Sequence, residues 1–152
     1  MVITSPAAIK PSSPANPQVP LAATFAVQNP HTGVAANPQS IGFQVGTGHW
    51  KTFTSGKQCY VELIKHLVSQ YPDFPARFQN AKTRGKRAWI SKTKDELFPG
   101  RVDFQSSEVT AVGGGWLVGT QMSAHADMPK RVEAACACVG LVFGRDIKAN
   151  FL

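Results

Sequence analysis

A chain of 152 residues, 43% hydrophobic and only 16% charged, holds enough apolar material for one domain core, with residues to spare. Seven of its 16 bases (Arg77, Lys82, Arg84, Lys86, Arg87, Lys92 and Lys94) fall in one window without an acid; the other nine balance the nine acids, so the whole +7 excess sits between 77 and 94. Three cysteines exclude a disulfide framework, and the lack of an apolar run of about 18 residues argues against a membrane span, so with no signal-peptide pattern the expected setting is a reducing cytoplasm.

Residues 1–39 carry seven of the 11 prolines: Pro6, Pro11, Pro14, Pro17, Pro20, Pro30 and Pro38. Proline removes backbone donors and blocks helix continuation, so this segment is expected to be disordered and flexible. Its one apolar run, Leu21 to Val27, is a candidate strand or docking segment. Such a tail could offer a protein partner a peptide motif.

Folded structure is expected over 40–152. Ile41 to Val45 and Trp50 to Phe53 alternate around Gly46-Thr47-Gly48 and predict a β-hairpin. A helix follows over 56–70, capped by Thr54 or Ser55, with Tyr60, Val61, Ile64, Leu67 and Val68 on one face. His66 falls on its polar face and reads as exposed. Tyr71-Pro72 ends the helix. A short second helix starts near Pro75 with Asp73 as its cap and runs into the basic window.

Ala88-Trp89-Ile90 reads as a strand, and 92–98 as one or two helical turns with Leu97 and Phe98 inward, stopped by Pro99-Gly100. Val102 to Phe104 and Val109 to Val112 suit two strands. Three glycines, 113–115, form a turn into a strand from Trp116 to Thr120. Residues 121–127 are a polar loop. A last helix carries Val132, Ala135, Cys136 and Val139 on one face, capped by Ser123 or Asp127, and Leu141 to Phe143 reads as a final strand. The sum is an α+β fold, a small antiparallel sheet packed with two to three helices.

No catalytic residue set emerges. There is no nucleophile elbow and no phosphate-binding loop, and His31, His49, His66 and His125 are scattered. Cys136 and Cys138 lie in an apolar helical run and read as core thiols, so neither metal nor cofactor is expected. What remains is a binding architecture. Lys82, Arg84, Lys86, Arg87, Lys92 and Lys94 form the electrostatic footprint of a polyanion site. Thr120, Gln121, Met122, Ser123 and His125 supply side chains of the kind that read base edges, Gln121 by a bidentate contact to adenine.

From Thr54 to the last helix the chain resembles the C-terminal DNA-binding domain of SeqA, the bacterial negative modulator of replication initiation. The residues that carry the resemblance are Gly56 to Leu67, Phe74 to Phe78, Gly85-Lys86-Arg87-Ala88-Trp89-Ile90, Gly114 to Gln121 and Lys130-Arg131-Val132-Glu133. The resemblance implies double-stranded DNA as partner. It puts Arg87 against the DNA backbone and Thr120 to Ser123 on a loop that reads a hemimethylated adenine site. The chain departs from the pattern at Gln121 and Met122, near Gly119, where one residue is inserted, and at its start, where the Pro-rich segment replaces a multimerising helix. The expectation is a non-enzymatic duplex DNA binder, sensing methylated or hemimethylated sites to modulate replication, transcription or restriction in a bacterial or phage setting. The rival is a small interaction module, an inhibitor or adaptor that docks its basic face on an acidic partner or blocks a nucleic-acid-binding site.

Overall fold

The computed structural model describes residues 40–81, 87–123 and 125–151. The Pro-rich segment, its 21–27 run, Lys82, Arg84 and Lys86 lie outside the described residues.

The expected hairpin forms from β1 (Gly42–Val45) and β2 (Lys51–Thr52), paired antiparallel with Phe43 opposite Lys51. Phe43 points inward and stacks on Phe53 at 5.5 Å. Gly42 faces the Lys51 carbonyl and the Trp50 indole so closely that no Cβ fits there. Helix α1 (Gly56–Gln70) matches its expected bounds. The Ser55 hydroxyl accepts from the Gln58 N–H and satisfies one of the orphan donors of the first turn. The buried face of α1 is wider than the five expected positions, because Cys59 and Leu63 are buried with Tyr60, Val61, Ile64 and Leu67. Each fully buried aliphatic side chain contributes about 1.5–3 kcal/mol. His66 is half-buried rather than exposed, its ring 6.5 Å from that of Phe43.

Helix α2 (Phe74–Asn80) has Pro75 in its first turn, and Asp73 precedes it without a capping hydrogen bond. Phe74 and Phe78 stack at 5.2 Å, and Trp89 closes on Phe78 at 5.6 Å. The expected strand at 88–90 is displaced, since β3 is Ile90–Ser91. The reason lies in α3 (Lys94–Leu97): the Glu96 carbonyl takes the Ala88 N–H at 2.9 Å, and its carboxylate takes the buried Ser91 hydroxyl. Leu97 and Phe98 turn inward as expected.

Residues 102–107 are not a strand but helix α4 (Val102–Ser107). The Ser106 and Ser107 hydroxyls donate to the carbonyls of Val102 and Asp103, four residues back, and local bonds of this kind compete with a ladder. Strand β4 (Val109–Gly113) follows as expected and turns through Gly113, Gly114 and Gly115, all at positive φ, into β5 (Trp116–Gly119). Helix α5 (Asp127–Cys138) buries Met128, Arg131, Val132, Ala135 and Cys136 and ends at Gly140, φ +74°. Leu141 to Phe143 is not the last strand. The Asp146 carboxylate takes the Val142 N–H at 2.8 Å and shapes a turn, and the strand is β6 (Ile147–Asn150).

The single expected sheet is two. Strand β6 returns to pair with β1, giving the order β2-β1-β6, and the second sheet has the order β3-β5-β4, all antiparallel. Helix α1 packs on β1 of one sheet and β4 of the other and holds the core between them. The fold is α+β, with two small antiparallel sheets and five helices among the described residues.

Candidate nucleic-acid interface

The basic window and the polar loop, distant in sequence, meet at Arg87 and Gln121. The Arg87 guanidinium donates from Nη1 to the Gln121 side-chain oxygen at 3.0 Å and from Nη2 to the Gln121 carbonyl at 2.6 Å. It lies over the Phe98 ring, 4.1 Å from the centroid, beside Gly119, where the missing side chain leaves room. Strand β5 aims the loop, α3 supplies the Phe98 platform, and the segment leading to β3 delivers Arg87.

The loop is pinned at both ends. The Thr120 N–H donates to the Glu108 carbonyl at 2.9 Å, and its buried hydroxyl donates to the Glu108 carboxylate at 2.8 Å. Lys57 holds the same carboxylate at 2.9 Å. The Lys57 and Thr120 hydrogen bonds keep the Glu108 carboxyl below its ordinary range. At the far end the Ser123 hydroxyl accepts from the Ala126 N–H, the Ser123 N–H donates to the Asp127 carboxylate, and the Ser123 carbonyl accepts from Asp127 and Met128. Neither residue expected to cap α5 does so: the N-cap is Ala126, without a side-chain capping bond, and Ser123 and Asp127 instead close the turn that leads into the helix. Met122 is half-buried against the core, while Gln121 and His125 are exposed. Of the five loop residues, Thr120 and Ser123 serve as anchors, and Gln121 and His125 are the outward polar groups.

Arg131 is not among the contact residues expected from the sequence, yet it sits beneath this loop. It is 8% exposed, donates to the Gly119 carbonyl at 3.3 Å and lies 5.7 Å from the Trp89 ring centroid. Neither Arg87 nor Arg131 has an acid in ion-pair contact among the described residues. Burial, and then the neighbouring charge of Arg131, lowers the Arg87 pKa. Tyr60 lies next to both; its buried hydroxyl has no partner at normal hydrogen-bond geometry among the described residues, although the Arg131 guanidinium is near enough to pull on it. Burial pushes that phenol up to about 12 against the opposing pull of the two arginines.

Lys92 is exposed and its Nζ hangs over the Trp116 ring at 5.2 Å, while Lys94 is exposed at the start of α3. Burial pushes Cys59 up to about 12 and Cys136 up to about 11, so both are neutral thiols at physiological pH. Among the described residues no three His, Cys, Asp or Glu side chains gather as a metal site, and no helix is long and apolar enough to cross a membrane. No protein-family model, curated protein or solved structure matches the chain.

Proposed function

We propose that the chain is a non-enzymatic, double-stranded DNA-binding protein of the SeqA C-terminal type. Its basic window grips phosphates, and its 120–125 loop enters a groove and senses a methylated or hemimethylated site. The observation that carries this reading is the hydrogen-bonded meeting of Arg87, from the acid-free window, with Gln121, on the loop. Two guanidinium groups stand there with no carboxylate in ion-pair contact with either among the described residues, Asp127 and Glu108 acting on Arg87 only from farther off, which favours an incoming anion. Arg87 commits two of its five N–H donors to Gln121 and makes no other side-chain hydrogen bond among the described residues, which leaves donors for a phosphate oxygen. Lys82, Arg84, Lys86, Lys92 and Lys94 extend the grip along the backbone.

The test is fluorescence anisotropy against one duplex in unmodified, hemimethylated and fully methylated forms. Tighter binding to one form is expected. Equal binding to all three would leave a general DNA binder and remove the modification-sensing half of the proposal. No binding at low salt would reject the reading in favour of the interaction module, which predicts a protein complex that survives nuclease treatment.

A further inference from the structure

Arg131 stands on the inner face of α5, in line with the buried Met128 and Ala135, and is itself buried. A guanidinium in that setting is ordinarily paired with a carboxylate, because an uncompensated buried charge is costly. All nine acids of the chain lie among the described residues, and none is in ion-pair contact with it. Asp127, one turn earlier on the same helix, accepts from the Ser123 N–H instead. The Tyr60 phenol, pushed up to about 12 by burial, is uncharged at neutral pH and offers no counter-charge. The groups that do meet Arg131 are neutral, the Gly119 carbonyl at 3.3 Å and the Trp89 ring at 5.7 Å from its centroid. They hold the guanidinium in place without cancelling its charge.

A second cation converges on the same residue. One Arg87 nitrogen lies 3.8 Å from the point where a side chain at Gly119 would begin, while Arg131 holds the Gly119 carbonyl. The two like charges oppose each other, and this works against the fold. An anion arriving at Arg87 is attracted by both. We infer that Arg131 is the inner half of the phosphate site, a buried and fixed cation that adds its charge to that of Arg87 and strengthens the hold on a duplex phosphate without touching it. The inference rests on the DNA-binding reading and divides the labour of the site between two arginines. Arg87, half-buried at the surface, supplies the hydrogen bonds. Arg131, shielded from solvent ions, supplies a field that salt screens less.

The test sets duplex binding, by fluorescence anisotropy, against unfolding in denaturant for the full wild-type chain, Arg131→Met and Arg131→Lys. Methionine keeps an apolar stem of similar length and removes the charge. Replacing a buried charge by an apolar side chain of similar volume is often neutral or stabilising. Arg131→Met is therefore expected to unfold at the wild-type denaturant concentration or above it. The same variant is expected to bind the duplex about three- to tenfold more weakly, the effect of one partly screened unit charge on the order of 10 Å from a phosphate. Arg131→Lys keeps the charge and loses the planar fork, and is expected to stay close to wild-type affinity. A merely structural arginine would instead move stability and affinity together and would gain nothing from lysine. Wild-type affinity in Arg131→Met would overturn the inference. So would equal losses of affinity in both variants, or a loss in Arg131→Met that follows a loss of stability, and each of these results would leave DNA binding intact. Failure of the wild-type chain to retain the duplex at low salt would overturn both readings together.

Discussion

Replacing Thr120 by valine tests whether the loop is pinned through Glu108. The substitution keeps volume and β-branching and removes only the hydroxyl that donates to the carboxylate at 2.8 Å. A hydrogen bond to a charged group contributes about 1.5–3 kcal/mol. The Glu108 side chain is one-fifth exposed and keeps Lys57, so the lower end applies. The expected loss is about 1.5 kcal/mol, a fall in Tm of about 6 °C for a domain of this size. Lys57→Met should cost less, about 0.5 kcal/mol, because the lysine is 52% exposed and its pairing is screened. The Thr120 contribution should also depend on pH. Its acceptor is a carboxylate whose folded pKa lies below the ordinary 4.5, so the stabilisation is present above that value and disappears as pH falls through the folded one. Denaturant unfolding of the wild-type and variant chains at neutral pH and in acid measures both. A cost under about 0.3 kcal/mol, or one that persists unchanged when Glu108 is protonated, would refute the pinning.

Gly119→Ala places a Cβ 3.1 Å from two atoms of the buried Phe98 ring, and the ring also carries Arg87. A loss of about 1–2 kcal/mol by thermal unfolding is expected, with broadened or shifted resonances at Arg87. Tyr60→Phe removes a buried hydroxyl without a partner among the described residues, so it should change stability by less than about 0.5 kcal/mol in denaturant. A loss above about 1.5 kcal/mol would mean that Arg131 bonds that hydroxyl in solution.

Much of the fold is legible wherever local signals agree. Helix α1 has a serine cap, an apolar face of helical period and a terminating Tyr71-Pro72, and its bounds follow directly. The three glycines 113–115 announce their turn because positive φ is cheap only there. The misread segments are short ones with conflicting signals. Val102 to Phe104 has strand-forming residues, but serines and an Arg101–Asp103 pair with bonds at 2.8 and 3.1 Å favour a helical turn. Leu141 to Phe143 is more apolar than Ile147 to Asn150. The second becomes the strand because β1 needs a partner, which is a tertiary demand.

The site divides in the same way. Charge counting finds the basic window, and residue type finds the loop, but 34 residues separate Arg87 from Gln121 and no local rule joins them. Arg131 leaves a faint trace: three residues after Met128 and four before Ala135, it falls on the apolar face of α5, where an arginine calls for a reason. Glu108 leaves none.

The most direct test of a phosphate-gripping face is the salt dependence of duplex binding, measured as the slope of log K against log salt for the wild-type chain and for Arg84→Ala and Arg87→Ala. Each lost phosphate contact is expected to weaken binding to every sequence and to flatten the slope by about one unit. An unchanged slope and affinity in both variants would contradict the account, and the basic window would then be a docking face for an acidic protein.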